Sequence, residues 1–207
     1  EGTIFDIIHL DTGNKNDYSD RILFYPHTNV VYGTHGTAMI RSFKDQLHVL
    51  NLEGITGLQI VVPFSGNPLI IKNYIAALKL AAFLHPKVIS ISAGNADVIP
   101  EERAVISKLH QENILFLAAS GNEGKADFTN YPAGYQFKCV LSVGTKKGAV
   151  RIDYSNKADM YLEENFFEAG TSFSTARAGA VALKYMKDHP KDNCEQIRER
   201  LVNYYKL

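Results

Sequence analysis

Charge of one sign is missing from this chain. Its 22 basic residues are balanced by 22 acidic ones over 207 positions. A nucleic-acid or anionic-membrane partner therefore has no bulk electrostatic support. Long apolar runs are missing too. The stretch AALKLAAFL at 76–84 is broken by Lys79, so it falls short of a membrane span. Cysteine is scarce: Cys139 lies in a strand-like run and Cys194 at a helix start. Neither has the spacing of a metal site. The pair allows one disulfide, but two buried thiols are the expectation, and the redox compartment stays open. Repeats, low-complexity tracts and linker-like segments are absent, which leaves a single domain over 1–207. The first residue is Glu1 rather than Met, so the chain reads as processed or trimmed, with any signal or pro-segment removed.

What is there is ordinary in bulk and specific in detail. A hydrophobic fraction of 45% and a charged fraction of 21% suit a globular domain with a full core. Short β-branched runs read as buried strands: TIFDIIHL, ending at Asp11, then GLQIVVPF, KVISISA, ILFLAA and KCVLSVG. Helical patterns separate them. Over 68–84, Ile71, Tyr74, Ile75, Leu78 and Ala82 share a face. Over 100–112, Pro100, Glu101 and Glu102 suit a helix start, and Val105, Ile106 and Leu109 point inward. Residues 172–188 and 194–205 complete the helices. The alternation predicts an α/β fold with a mainly parallel sheet, and function is then expected at the carboxyl ends of the strands.

Several segments carry chemistry. HLDTG ends the first strand at Asp11, GTHGTAMI holds His35 among glycines and threonines, and GTSFST places Ser172 before a helix. Taken singly, Asp11 reads as a turn or cap residue, His35 as a loop histidine and Ser172 as a helix cap. Together they supply a hydroxyl, an imidazole able to take its proton, and a carboxylate able to hold that imidazole in one tautomer. AASGNEG at 118–124 adds Asn122, whose amide, with the Ser172 N–H, would serve as an oxyanion donor. Alone, Asn122 reads as a turn residue.

With these residues in view the chain resembles the subtilases, the subtilisin-like serine proteases. DTG at 11–13 resembles the family's Asp motif, HGT at 35–37 its His motif, GTSFST at 170–175 its Ser motif and SGNEG at 120–124 its oxyanion segment. ISISAGN at 89–95 is similar to its substrate-pairing strand and YPAGY at 131–135 to the stretch beyond its pocket. The resemblance implies a three-layer subtilisin-like fold with a mainly parallel central sheet flanked by helices. It implies a serine endopeptidase with catalytic Asp11, His35, Ser172 and Asn122. A substrate peptide would add as a strand between Ser92, Ala93 and Gly94 on one side and Ser65 and Gly66 on the other. The primary pocket would be walled by Ala118, Ala119, Ser120 and Gly121, with Asn130 near its floor. No carboxylate stands at those positions, so an apolar or medium-sized side chain before the scissile bond is expected.

The chain departs from the family where Ala176 and Arg177 stand in place of the usual Pro and His. Arg177, about 140° around the helix from Ser172, is expected to be structural, reaching solvent or an acidic side chain. No cofactor is identified. Calcium loops of secreted relatives are not recognisable, and the acid-rich DTGNKNDYSD at 11–20 reads as a solvated turn. The implied partner is a peptide or protein substrate, with a removed pro-segment or an inhibitor as a further one. Three alternatives stay open: a non-catalytic peptide-binding module, an acyl-transferring macrocyclase-type relative, and a dinucleotide-binding domain. The last rests only on GTHGT at 33–37, which lacks the third glycine.

Overall fold

A computed structural model of the chain describes residues 4–12, 22–24, 34–62, 68–125, 129–152, 155–164 and 169–207. In chain order the elements are β1 (Ile7–Asp11), β2 (Ile22–Phe24), α1 (Thr34–Val49), β3 (Gly57–Val61), α2 (Pro68–Phe83), β4 (Val88–Ile91), α3 (Pro100–Ile106), β5 (Leu115–Ala119), β6 (Val140–Lys147), β7 (Val150–Arg151), β8 (Met160–Glu163), α4 (Thr171–Asp188) and α5 (Cys194–Tyr205). The strands form one sheet in the order β2-β3-β1-β4-β5-β6, with β7 and β8 both pairing β6. Every pairing is parallel except β6 with β7. This is the α/β architecture that the strand–helix alternation predicts.

The period-2 alternation of β1 sorts the helices into two layers. Ile8 and Leu10 point into a core shared with Leu58, Ile60, Ile89 and Ile91 and with Tyr74 and Leu78 of α2 and Ile106 of α3. Ile7 points the other way, into a core shared with Met39 and Phe43 of α1, the alanines of α4, and Ile197 and Leu201 of α5. Small residues let α4 lie close: a methyl group on Gly179 would stand 2.6 Å from Ile7 Cδ1 and 3.6 Å from the Phe43 ring. That is the packing reason for Ala176, Ala178, Gly179 and Ala180.

Two local readings need correction. Ile71 is exposed rather than on the buried face of α2. The helix begun at Pro100 ends at Ile106, and turns carry the chain on, although Leu109 remains buried. Glu102 stands in the first turn of α3 as expected, and it is fully buried. It accepts hydrogen bonds from the hydroxyls of Tyr74, 2.5 Å, and Tyr135, 2.8 Å, and its burial raises its pKa. No helix among the described residues is long and apolar enough to cross a membrane.

The expected pair of free thiols is also overturned: Cys139 and Cys194 form a disulfide, their Cα atoms 5.5 Å apart. Cys139 lies just before β6 and Cys194 opens α5, so the bond ties the last helix to the sheet. The cysteines are 55 positions apart. Closing a loop of that length restricts the unfolded chain by about 4 kcal/mol in the chain-entropy account. The Cys139→Ala/Cys194→Ala double variant is expected to melt about 10 °C lower, read by circular dichroism. Unchanged melting would mean that the bond adds no net stability.

Candidate active site

In the sheet order, the connection after β1 leads to one side, toward β2 and β3, and the connection after β4 leads to the other, toward β5 and β6. Such a reversal opens a crevice at the carboxyl ends of the strands. Asp11 is the last residue of β1 and is 2% exposed. Its Oδ1 accepts from His35 Nδ1 at 2.8 Å and from the Thr12 N–H at 2.6 Å. A carboxylate acceptor puts the imidazole proton on Nδ1 and leaves Nε2 as the basic nitrogen. The hydrogen bond to Asp11 raises the His35 pKa above its ordinary 6.5, with burial opposing.

His35 is the second residue of α1, and the helix start is clamped to the strand end. The Gly36 N–H donates to Thr12 Oγ1 at 3.1 Å, and Gln59 Nε2 donates to the Thr12 carbonyl at 2.6 Å. A methyl group on Gly36 would stand 2.5 Å from Gln59 Nε2 and would overlap the Thr12 carbonyl. Glycine is therefore required for the helix to come this near. Gln59 gave no signal in the sequence and Thr12 only as part of the DTG motif, because their work is done across elements.

Ser172 is the second residue of α4, not its cap. The cap is Gly170, at φ 126°, a conformation that favours glycine. The Ser172 hydroxyl donates to the Ser92 carbonyl at 3.0 Å, and the Ser92 hydroxyl donates back to the Ser172 carbonyl at 3.1 Å. In register, Ser92 follows the Leu10–Ile91 pair and so lies beside Asp11. Asn122 follows β5, and its Oδ1 accepts from both the Thr171 N–H, 2.9 Å, and the Thr171 hydroxyl, 3.0 Å. Two donors on the carbonyl side fix the amide and leave its NH₂ group free of that task. Thr171, given no role in the sequence reading, is what aligns Asn122. Asp11, His35, Ser172 and Asn122 thus gather at the carboxyl end of the sheet.

Beyond β4, Ser92 is buried, Ala93 half-buried and Gly94 exposed. Ala118, Ala119, Ser120 and Gly121 are all buried, and Asn130 reaches them through a 3.0 Å bond from Nδ2 to the Ala119 carbonyl. Asn156, also unforeseen, braces the loop after β5. Its Nδ2 donates to the Ser120 carbonyl, 3.0 Å, and to Glu123 Oε2, 2.6 Å, while its Oδ1 accepts from the Lys125 N–H, 2.9 Å. The Glu123 carboxylate, passed over in the sequence, adjoins Gly121 but is engaged by that amide. Ser65 and Gly66 lie outside the described residues, as does most of the acid-rich stretch after Thr12.

Residues 14–165 match the model of the subtilase family, peptidase S8. The chain belongs to the subtilase family. His35 and Asn122 fall inside the match, and Asp11 and Ser172 just outside it. Among curated proteins, the minor extracellular protease Epr of Bacillus subtilis (strain 168) is 24% identical over 127 residues. That match takes in 55% of this chain and spans only 20% of Epr. Among solved structures, the prenylagaramide maturation protease PagA superposes with a TM-score of 0.70 at 18% identity, over 93% of this chain and 80% of that one. A lanthipeptide protease superposes with a TM-score of 0.72 at 15% identity, over 93% and 78%. Both share the three-layer fold.

This subtilase carries a buried histidine close to its candidate triad. His9 shares a strand face with Asp11, two residues on, and packs edge-on against the Phe43 ring, centroids 4.7 Å apart. Its strand partners are Gln59 and Ser90, both neutral. Burial alone lowers its pKa from 6.5 to about 4. The unfolded chain therefore binds a proton there before the folded chain does. The stability that neutral His9 secures is complete above pH 6.5 and is lost as pH falls towards 4, about 3 kcal/mol in all. His9→Gln is expected to remove that part of the acid destabilisation in urea titrations at successive pH values. An unaltered slope between those pH values would contradict a buried neutral His9.

One further expectation is answered here. Arg177 donates from Nη2 to the main-chain carbonyl of Glu163 at 2.6 Å, an acceptor the sequence reading did not name. It holds the end of β8 against α4. Among the described residues no group of three or more His, Cys, Asp or Glu side chains could hold a metal ion.

Proposed function

We propose that the chain is a serine endopeptidase. The observation that carries the reading is the 2.8 Å Asp11–His35 hydrogen bond at the same end of the sheet as Ser172. Ser172 attacks the peptide carbonyl, His35 Nε2 takes its proton, and Asp11 stabilises the imidazolium. The Asn122 amide and the Ser172 N–H, which has no intrahelical acceptor in the first turn, receive the oxyanion. His35 then protonates the leaving amine, and water releases the acyl group by the same route. The substrate lies extended along Ser92, Ala93 and Gly94, with Ser65 and Gly66 as the opposite edge. An uncharged side chain precedes the scissile bond.

One observation favours a peptide-binding module without catalysis: the single Ser172 proton is donated to Ser92 rather than to His35. In the enzyme reading it transfers to His35 when a peptide is bound, since catalytic hydrogen bonds often tighten only with substrate. A fluorophosphonate probe separates the two. Covalent labelling confined to Ser172, located by peptide mass mapping, is expected of the enzyme. A folded protein that is never labelled is a binding module.

A further inference from the structure

We infer that Asn130 closes the side-chain slot beside Ser172, so that the residue before the scissile bond must be Gly, Ala or Ser. The inference rests on the endopeptidase reading for where the peptide lies. β4 and β5 are paired as far as Ile91 and Ala118, and the two chains run on from there as separate walls. One wall is Ser92 to Gly94, tied to Ser172 by the paired hydrogen bonds of Ser92. The other is Ala119 to Gly121, leading into Asn122. A peptide carbonyl held between Ser172 and Asn122 directs its own side chain into the gap between these walls.

The walls carry nothing larger than serine, which would make the gap deep if it were open. It is filled from below. A methyl group in place of a Gly94 hydrogen would stand 2.7 Å from both Cγ and Oδ1 of Asn130. On the opposite wall, Asn130 Nδ2 donates to the Ala119 carbonyl at 3.0 Å, and a methyl on Gly121 would stand 3.4 Å from Asn130 Cβ. One buried side chain therefore touches both walls. Its main chain is held as well. The next residue, Tyr131, exchanges two main-chain hydrogen bonds with Asn95, 2.8 and 2.7 Å, and the Asn130 carbonyl accepts from the Gly134 N–H at 2.7 Å. A leucine or phenylalanine side chain needs the volume that Asn130 occupies. This narrows the apolar or medium-sized preference expected from the sequence to small residues.

The test compares fluorogenic peptides differing only in the residue before the cleaved bond. Alanine is expected to exceed leucine and phenylalanine by about tenfold or more in kcat/KM. Asn130→Gly is expected to raise the ratio of the two large residues to alanine by about tenfold. Asn130→Ala, which keeps a Cβ, is a second variant with an intermediate gain, and circular dichroism checks both folds. Equal wild-type rates for alanine and phenylalanine overturn the inference, as does an unchanged ratio in the folded variants. A second measurement needs no turnover: calorimetric binding of peptide acids ending in Ala or Phe to the Ser172→Ala chain. No discrimination there overturns the closed slot, whatever the labelling shows. Discrimination without fluorophosphonate labelling of the wild type removes the endopeptidase reading and leaves the slot standing.

Discussion

Ser172→Ala is expected to abolish peptide cleavage, by about 10⁴-fold or more, and to leave the fold intact. The lost hydroxyl makes one hydrogen bond, to the Ser92 carbonyl. Its removal costs about 1 kcal/mol, and the reciprocal bond from the Ser92 hydroxyl remains. Melting should therefore move by a few degrees only, while the reaction loses its nucleophile. His35→Ala is expected to cost nearly as much, and the double variant no more than the worse single one, because base and nucleophile act as a unit. The wild-type rate is expected to rise with pH as His35 loses its proton, with a midpoint above 6.5, since Asp11 raises its pKa. Asp11→Asn, which cannot stabilise the imidazolium, should lose most of the rate at every pH. Additive losses in the Ser172/His35 pair, or cleavage surviving in purified Ser172→Ala, would remove the triad.

The parts of this fold that could be read from sequence are those with a long pattern. The runs of β1, β4 and β5 are buried on both faces, so they stand out as largely apolar segments, interrupted only by His9 and Ser90 before the site residue Asp11. Pro68 and Pro100 mark helix starts, and the alanine-rich α4 announces a close-packed helix. What had no pattern was missed. β2, β7 and β8 are two to four residues long, too short for a period to register. The end of α3 carried no stop signal until Asn113, whose φ is 56°. The disulfide was hidden because Cys139 and Cys194 become neighbours only when α5 docks on β6. The site divides in the same way. Asp11, His35, Asn122 and Ser172 sit in short motifs whose residue types state their chemistry. Thr171, Ser92, Gln59 and Asn156 hold those groups in place from other elements. A hydrogen bond between positions 49 apart, such as Thr171 to Asn122, leaves no mark on local sequence. Asn130 was placed near the pocket floor, but only the contact with Gly94 reveals that its amide spans both walls.

Asn122→Ala is expected to lower kcat about 10²- to 10³-fold with little change in KM, because an oxyanion donor acts only as charge develops. That variant alone leaves an ambiguity. The Asn122 carbonyl is also an acceptor for the buried Thr171, through both its N–H and its hydroxyl. Losing that acceptor leaves the start of α4 under-bonded, at a cost of about 1–3 kcal/mol, and Ser172 is the next residue. A fall in rate could then come from a displaced nucleophile. Asn122→Asp separates the two effects. Aspartate has the same shape and still accepts both Thr171 bonds, strengthened by its charge and by the helix N-terminus. It offers no N–H to an oxyanion and sets a negative charge beside it. Asn122→Asp is therefore expected to melt no lower than the wild type, yet to lose at least as much kcat as Asn122→Ala. Wild-type turnover in Asn122→Asp would show that the amide serves only to anchor Thr171, and that the oxyanion donors lie elsewhere.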